Sequence, residues 1–182
     1  MGLKNKIFSG NLYFVTMTVE DWVDIFTRPV YKKIIVDSIK HCQKEKGLEV
    51  YAWCLMTNHL HMIISNKDGK VLTDIIRDFK KFTSKEILRA IQSENESRRD
   101  WMLNRFEYAG LNDKKIKNYK FWQEGNEAKE IISPEFMMQK LYYIHENPVK
   151  EEIVEESWEY LYSSARDYCE RSKGLIDIIF IE

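Results

Sequence analysis

Apolar and polar residues alternate along the chain with two different periods, one typical of strands and one typical of helices. Residues 11–19 are rich in aromatic and β-branched side chains and predict a strand. Two further strand-like runs, 48–56 and 59–65, are separated by a short polar turn and predict a hairpin. A fourth, shorter strand is expected at 119–123.

Apolar positions at helical spacing predict helices between these strands. The first helix begins near Pro29, because proline favours the first turn, and ends at Gly47, a common C-terminal stop. The second begins at about Leu72. A third runs through Trp101 and is expected to stop at Gly110.

The last clear helix begins at Ser133 and Pro134, with the serine as N-cap and the proline in the first turn. It is expected to end near Asn147, because Pro148 disfavours helical geometry in the residue before it.

The order strand, helix, strand, strand, helices, strand, helix favours an α+β fold. A ferredoxin-like, four-stranded antiparallel sheet with helices packed on one face is the economical arrangement. No linker, repeat or low-complexity tract divides the sequence. Residues 1–182 are therefore interpreted as a single domain, with a core at about 12–150 and a C-terminal extension at 151–182.

The composition is that of a folded, soluble protein. Of the 182 residues, 44% are hydrophobic and 31% are charged, which excludes a disordered chain. The three cysteines are isolated and odd in number, which argues against a disulfide framework and for a reducing cytoplasm. No run approaches the ~18 apolar residues that a membrane helix needs, so a cytoplasmic protein without membrane contact is expected.

The net charge of −1 gives no global electrostatic argument for nucleic-acid binding, so any such argument must rest on local patches. A basic stripe with a spacing of four residues lies on the second helix, and a lysine-rich loop lies at 114–120. The residues of the helix predicted to contact DNA are Arg77, Lys80, Lys81 and Lys85. The alternative is an ordinary solvated helix face, because acidic residues interrupt the stripe.

The first candidate chemistry lies in the segment His59–Leu60–His61. Residues i and i+2 of a strand point to the same face, so the two imidazoles are expected side by side, with Leu60 on the other face. Neutral imidazole is a good ligand for divalent transition ions. Short motifs of this kind arise freely by chance, and two surface histidines are the alternative.

The second candidate chemistry lies on the last helix. Tyr143 and Asn147 are one turn apart, so a phenol and a carboxamide share one face, with Lys140 beside them. Tyr142 lies about 100° round the helix, closer to the buried side, and is expected to pack. An ordinary helix surface with polar and aromatic residues is the alternative.

Together these features predict one site. His59, His61 and the Asn147 amide would hold a divalent ion next to the Tyr143 hydroxyl. Such an ion polarises a phosphodiester and neutralises developing charge. Attack by Tyr143 would join DNA covalently to the tyrosine and release a free hydroxyl end, which can later reverse the reaction without a nucleotide cofactor.

The segment YAWCLMTNHLH at 51–61 resembles the histidine-hydrophobic-histidine strand of the single-tyrosine HUH transposases. The segment YIHENPV at 143–149 resembles the nucleophile helix of the REP-associated tyrosine transposases. Shorter similar stretches are FKKFTS at 79–84, FWQEG at 121–125 and YSSA at 162–165. The similarity spans roughly residues 12–168 in the family's order.

This resemblance implies a metal-dependent transposase that cleaves and rejoins single-stranded DNA through a 5′-phosphotyrosine. Tyr143 would be the nucleophile and His59 and His61 metal ligands, and Asn147 stands where insertion-sequence members carry a glutamine ligand. The family's ions are magnesium or manganese, which suit an amide with waters and phosphate oxygens. The implied partner is single-stranded or hairpin DNA, bound by a monomer or homodimer. The acidic pair Glu151–Glu152 departs from the small residues often found there in the family.

Three alternatives stay open. A domesticated, catalytically silent relative would bind DNA sequence-specifically without cutting it, although all four candidate site residues are intact. An RNA-binding protein on the same fold would display aromatic residues on the sheet where this chain places histidines. A phosphodiesterase that uses water would release products without a covalent adduct.

Overall fold

The computed structural model describes residues 11–67, 69–111, 113, 118–169 and 173–181. Along the chain the elements are β1 (Tyr13–Thr18), α1 (Pro29–Lys46), β2 (Leu48–Leu55), β3 (His59–Asn66), α2 (Leu72–Ser93), α3 (Arg99–Leu111), β4 (Lys129–Glu130), α4 (Pro134–Lys150) and α5 (Ala165–Tyr168). Short 3₁₀ turns lie at Glu20–Trp22 and Ser157–Glu159. None of the helices in these ranges is long and apolar enough to cross a membrane.

The strands form one sheet in the order β2-β3-β1-β4. Every neighbouring pair is antiparallel, which confirms the predicted ferredoxin-like, α+β architecture. The hairpin between β2 and β3 is confirmed as well. In the two central strands, Thr16 of β1 lies opposite His61 of β3, and Thr18 lies opposite His59.

Helices cover both faces of the sheet, so the prediction that they lie on one face is wrong. Tyr13, Val15 and Met17 of β1 point into a core formed with α1 and α2. Phe14, from the same strand, points into a second core formed with α4. Every residue of β1 is buried, and a strand that is apolar on both faces needs a layer against each of them.

The ends of α1 follow the prediction. Pro29 lies in the first turn of the helix, and Gly47 ends it with a left-handed φ of 74°, a conformation that glycine adopts without a steric penalty. Gly110 behaves differently from the prediction, because α3 continues through it. The backbone of Asn118 passes so close to Gly110 that a Cβ atom there would clash with its carbonyl.

The fourth strand is displaced from its predicted position. The segment 119–123 contributes an isolated bridge between Trp122 and Val19, and β4 lies further along the chain, at Lys129–Glu130. Phe121 and Trp122 are buried in the core between the sheet and the helices. Their aromatic character therefore reflects core packing rather than a regular strand.

Helix α4 begins as predicted but extends beyond Asn147. The Ser133 hydroxyl accepts a hydrogen bond from the Phe136 N–H at 3.2 Å, and the helix then runs through Pro148 to Lys150. A proline near the end of a helix removes one hydrogen bond without stopping the last turn. The Ile153 N–H donates to the Pro148 carbonyl at 2.9 Å and helps to close the helix.

The described part of the C-terminal extension returns to the edge of β2. The Leu55 N–H donates to the Tyr162 carbonyl at 2.9 Å, and the Ser164 N–H donates to the Trp53 carbonyl at 3.0 Å. The Ser164 hydroxyl also shares a hydrogen bond of 2.8 Å with His145 of α4. The segment 162–165 thus links α4 to β2 close to the predicted nucleophile.

Candidate active site

The two histidines of β3 lie side by side on the face of the sheet that α4 covers. The ring centroids of His59 and His61 are 4.5 Å apart. Leu60, between them, is buried in the opposite core. The alternation of side chains along a strand therefore produces the pair, as the sequence predicts.

Asn58 determines which nitrogen of His59 faces outward. The Asn58 amide nitrogen donates to the Asp24 carboxylate at 2.9 Å and to the Trp22 carbonyl at 3.3 Å. Its amide oxygen therefore lies against Nδ1 of His59, at 2.7 Å. Because an amide oxygen only accepts, His59 must carry its proton on Nδ1, and Nε2 presents a lone pair.

His61 is held in a similar way by β1. Its Nδ1 lies 2.9 Å from the Thr16 hydroxyl, while its Nε2 is buried and has no hydrogen-bond partner among the described residues. A buried polar atom without a partner is costly in a folded protein. This nitrogen is the clearest sign that the site is built for a ligand.

Both imidazoles are neutral near pH 7. Burial lowers the pKa of His59 to about 4, although the nearby Asp24 carboxylate acts in the other direction. Burial, with the additional effect of His59 and Lys140, lowers the pKa of His61 to about 3. A neutral imidazole is the form that ligates metal ions, so no proton has to be removed.

Helix α4 brings Tyr143 directly to this pair. The centroid of the Tyr143 ring lies 5.2 Å from that of His61 and 6.0 Å from that of Phe14, and both pairs are packed edge to face. The side chain remains 37% exposed, so a substrate can reach it. Tyr142 is 67% exposed, and the prediction that it packs is wrong, because α4 turns that side of the helix to solvent.

Two lysines surround the Tyr143 ring. The Lys140 ammonium lies 5.4 Å from the ring centroid, and the Lys150 ammonium lies 5.5 Å from it. Lys140 is predicted from sequence to lie beside Tyr143, whereas Lys150 is not. Its position seven residues after Tyr143, two helical turns away, was the signal that could have identified it.

Asn147 is buried on α4, one turn beyond Tyr143. Its amide nitrogen donates to the Tyr143 carbonyl at 2.6 Å. That bond fixes the orientation of the amide and leaves its oxygen as the atom available to a ligand. The Asn147 side chain is thus tied to the backbone of the residue that it is predicted to assist.

A cavity of about 300 Å³ opens beside His59. It is lined by Trp22 and Asn58 and by Glu151 and Ile153, which lie just after α4. The cavity therefore lies between His59 and the residues that follow the end of α4.

The predicted basic stripe lies on α2, across the sheet from the histidines. Arg77, Lys81 and Lys85 are exposed, and Arg77 is paired with Asp74 and Asp78. Lys80 is different, because its ammonium donates to the carbonyls of Gln123 and Gly125, each at 2.8 Å, and to the Asn126 side chain at 3.3 Å. Burial, and then the neighbouring Lys120, lower its pKa to about 8.

Most of the predicted second basic patch lies outside the described residues, namely Lys114, Lys115 and Lys117. Lys120 is described and forms ion pairs with Glu20 at 3.3 Å and Asp113 at 3.6 Å.

The donor set fits a divalent ion. His59 and His61 offer neighbouring neutral nitrogens, each with its other nitrogen held by a side chain on the protein. This is the usual arrangement around a metal-bound histidine. The buried, unpartnered Nε2 of His61 is the observation that favours it.

Comparison with known proteins assigns the chain to a family. Residues 9–119 match the family described as "Transposase IS200 like". This segment contains both histidines, whereas Tyr143 lies beyond it. No curated protein matches the sequence significantly.

Two solved structures resemble the chain. A REP-associated tyrosine transposase bound to a REP hairpin has a TM-score of 0.68 and 16% identity, over 100% of this chain and 97% of that chain. A candidate transposase from Deinococcus radiodurans R1 has a TM-score of 0.42 and 16% identity, over 79% of this chain and 95% of that chain. The family match covers more than half of the sequence, and the chain therefore belongs to the IS200-like transposase family.

Proposed function

We propose that this protein cleaves and rejoins single-stranded DNA by transesterification, with Tyr143 as the nucleophile. The observation that carries the proposal is the position of the Tyr143 ring, 5.2 Å from that of His61. A phenol thereby lies beside a pair of neutral imidazoles, one of which has a buried nitrogen without a partner among the described residues. Membership of a transposase family supports this interpretation over an unrelated metal site.

His59, His61 and the amide oxygen of Asn147 are the proposed ligands of a magnesium or manganese ion. Within the described ranges no cluster of three His, Cys, Asp or Glu side chains is placed to hold a metal, so the third protein ligand in this proposal is the amide. When bound, the ion would polarise the scissile phosphate and neutralise its developing charge.

In the proposed reaction the Tyr143 oxygen attacks phosphorus and the bond from phosphorus to the 3′ oxygen breaks. The phenolic proton leaves Tyr143, and the departing 3′ oxygen takes up a proton. The products are a 5′-phosphotyrosine and a free 3′-hydroxyl, and the reverse attack rejoins the strand. Lys140 and Lys150, beside the tyrosine ring, would lie close to the negative charge of the phosphate.

The proposed substrate is a single strand flanked by a DNA hairpin. The support comes from the structural neighbour, which is described as bound to a REP hairpin. In the present chain the exposed Arg77, Lys81 and Lys85 remain the proposed contacts to phosphate. The Lys80 ammonium is already bonded to three protein oxygens, so its proposed contribution is to hold the loop at 123–126.

The test is a denaturing gel of the protein incubated with labelled hairpin-flanked single strands and manganese. We expect a slowly migrating labelled band that is lost in Tyr143→Phe and in the presence of a chelator. Tyr142→Phe is the matched control and should retain the band, because Tyr142 is the adjacent phenol on the solvent side of α4.

Two other outcomes would reject the proposal. Cleaved DNA without an adduct would indicate hydrolysis by water. Unchanged DNA that still shifts on a native gel, with folded protein and manganese present, would indicate a catalytically silent DNA-binding relative.

We further propose that attack occurs in cis, because the Tyr143 and His61 rings that meet here belong to one chain. A mixture of Tyr143→Phe and His61→Ala proteins should then form no adduct. Restoration of the adduct in the mixture would show instead that the two groups act from different subunits.

A further inference from the structure

Trp22 is displayed at the candidate active site by an unusual turn. Both Asp21 and Trp22 have positive φ angles, 52° and 54°, a conformation that is rare for large side chains. The turn is held by the Trp22 N–H, which donates to the Val19 carbonyl at 3.1 Å, and by the Asn58 amide, which donates to the Trp22 carbonyl at 3.3 Å. Strained backbone of this kind is concentrated at functional sites.

As a result of this turn, Trp22 is 58% exposed. The indole and the His59 ring pack edge to face, with their centroids 5.8 Å apart, and Trp22 lines the 300 Å³ cavity. Burial in the core therefore does not explain why a tryptophan occupies this position. The ring has a free surface within the site where the DNA strand is proposed to react.

Glu151 also lines this cavity. Its backbone N–H donates to the Asn147 carbonyl at 3.1 Å, so its position is fixed by the end of α4. The carboxylate is exposed and forms no hydrogen bond or ion pair with the described residues. A residue with a free carboxylate thus borders a cavity next to His59, a proposed metal ligand, where a negative charge needs a specific reason.

We propose that Trp22 and Glu151 form a subsite for one unpaired nucleobase of the strand that reacts with Tyr143. The inference rests on the proposed function and adds a preference for the base. Trp22 stacks on the base, and the Glu151 carboxylate accepts a hydrogen bond from its exocyclic amino group. This assigns a role to the acidic residue that follows α4.

The chemistry favours a base over other occupants. Aromatic stacking is the common way in which proteins hold unpaired bases, and every base has a face that can stack. The cavity is at the lower end of the ~300–1,000 Å³ range of small-molecule sites, which suits one planar ring system. A carboxylate accepts from the amino groups of adenine, cytosine or guanine. Thymine has no amino group, and its one N–H donor, N3–H, lies between two carbonyl oxygens that repel a carboxylate.

The experiment measures the affinity of the full chain for labelled oligo(dA), oligo(dC) and oligo(dT) of equal length by fluorescence anisotropy. A chelator is present throughout, so the measurement does not depend on cleavage. We expect the wild type to bind oligo(dA) and oligo(dC) more tightly than oligo(dT). Trp22→Ala should weaken all three by roughly tenfold or more, the usual loss of one stacking contact, and Trp22→Phe should recover most of the affinity.

The matched control for the indole is Trp101→Ala, since Trp101 is also about half exposed but lies on α3. An equal loss in both tryptophan variants, or no loss in Trp22→Ala, would overturn the stacking role. Glu151→Gln should abolish the preference against oligo(dT), while Glu155→Gln, an exposed carboxylate of the same segment, should preserve it. A preference unchanged in Glu151→Gln would overturn the role of the carboxylate.

Failure of this subsite and failure of the proposed function are distinguishable. The adduct formed by Tyr143 tests the reaction, whereas the chelated anisotropy measurement tests only the base. A wild type that forms the adduct but shows no effect of Trp22→Ala refutes the subsite alone. A wild type that forms no adduct, but whose affinity for single strands falls in Trp22→Ala, refutes the transesterification and retains the base-binding site.

Discussion

Nδ1 of His59 donates its proton to the amide oxygen of Asn58 across 2.7 Å. The Asn58 amide nitrogen is held in turn by the Asp24 carboxylate. This chain of contacts fixes both the rotation and the tautomer of the imidazole, so that Nε2 is the nitrogen offered to a metal ion. Partners of this kind are commonly as important to a metal site as the ligands themselves.

We therefore predict that Asn58→Ala weakens manganese binding by about 10-fold to 100-fold, the usual effect of removing the partner of a metal-bound histidine. Isothermal titration calorimetry with manganese measures this directly and needs no DNA. The control is Asn95→Ala, an exposed asparagine between α2 and α3. Equal affinities in the wild type and Asn58→Ala would show that Asn58 does not position His59.

The buried histidines make the folded protein sensitive to acid. Burial lowers the pKa of His145 to about 4, and that of His59 to a similar value. Each group has a lower pKa folded than unfolded, where it is about 6.5, so its stabilising contribution is present above about pH 6.5 and is lost as the pH falls towards 4. Between about pH 7 and pH 5, each such histidine should lower the free energy of unfolding by about 2 kcal/mol.

Urea unfolding at these two pH values, with a chelator present, measures the effect. His145→Gln should lose about 2 kcal/mol less than the wild type on acidification, because one buried titrating group has been removed. The comparison is between pH values within each protein, so a constant loss of stability in the variant does not affect it. An unchanged pH dependence would contradict a neutral, buried His145.

Glu96 is a buried carboxylate that connects α1 to the start of α3. Its side chain is only 2% exposed and accepts hydrogen bonds from the Tyr31 hydroxyl at 3.1 Å, from Arg28 at 3.3 Å and from Arg98 at 3.2 Å. Burial acts to raise its pKa, but the hydrogen bonds from Arg98, Tyr31 and Arg28 together hold the pKa at about 2. The stabilisation is therefore present above about pH 4.5 and is lost as the pH falls towards 2.

Glu96→Gln should lower the free energy of unfolding by about 3 kcal/mol at neutral pH, because two guanidinium groups lose their charged partner. Glu86→Gln is the comparison, since Glu86 pairs with Arg89 at 3.5 Å on the surface of α2. Exposed pairs of this kind contribute about 0.5 kcal/mol or less. Similar losses in the two variants, measured by urea unfolding, would refute a buried network at Glu96.

Lys80 and Lys81 are adjacent in sequence but should behave differently. Lys80→Met leaves the carbonyls of Gln123 and Gly125 without their donor and should reduce stability by about 1–3 kcal/mol. Lys81→Met should leave stability unchanged. If Lys81 contacts phosphate, its loss should reduce the salt dependence of single-strand binding by about 0.7 in the log–log slope.

Thermal unfolding and salt titrations of DNA affinity separate these two roles. Equal stability of the two variants would show that Lys80 does not hold the 123–126 loop. An unchanged salt slope in Lys81→Met would remove Lys81 from the proposed DNA surface.

The features that were predicted from sequence depend on local periodicity. His59 and His61 lie together because strand side chains alternate, whatever the rest of the protein does. The helix starts at Pro29 and Ser133 were equally predictable, because capping and first-turn preferences act over a few residues.

The features that were not predicted depend on tertiary packing. Helix α4 covers the face of the sheet opposite α1 and α2, which leaves Tyr142 exposed and brings Tyr143 to the sheet. The sequence of the helix alone does not say which side of it meets the sheet. Gly110 predicts a helix end from sequence, whereas in the structure it admits the close approach of the Asn118 backbone. Trp22 gave no local signal, because its display depends on a turn that Asn58 holds from a distant position in the sequence.

The return of the C-terminal segment to β2 has a consequence for self-association. An unpaired strand edge is a template for pairing with another molecule. Here the Leu55 N–H and the Trp53 carbonyl of the outer strand are already engaged by Tyr162 and Ser164, and Ile179 donates to the Val50 carbonyl nearby. On the opposite side of the sheet, β4 is only two residues long. In the described part of the chain the sheet therefore offers little open edge for pairing between copies, and the outer surfaces of the helices or exchange of the C-terminal segment are the routes to a dimer that it favours.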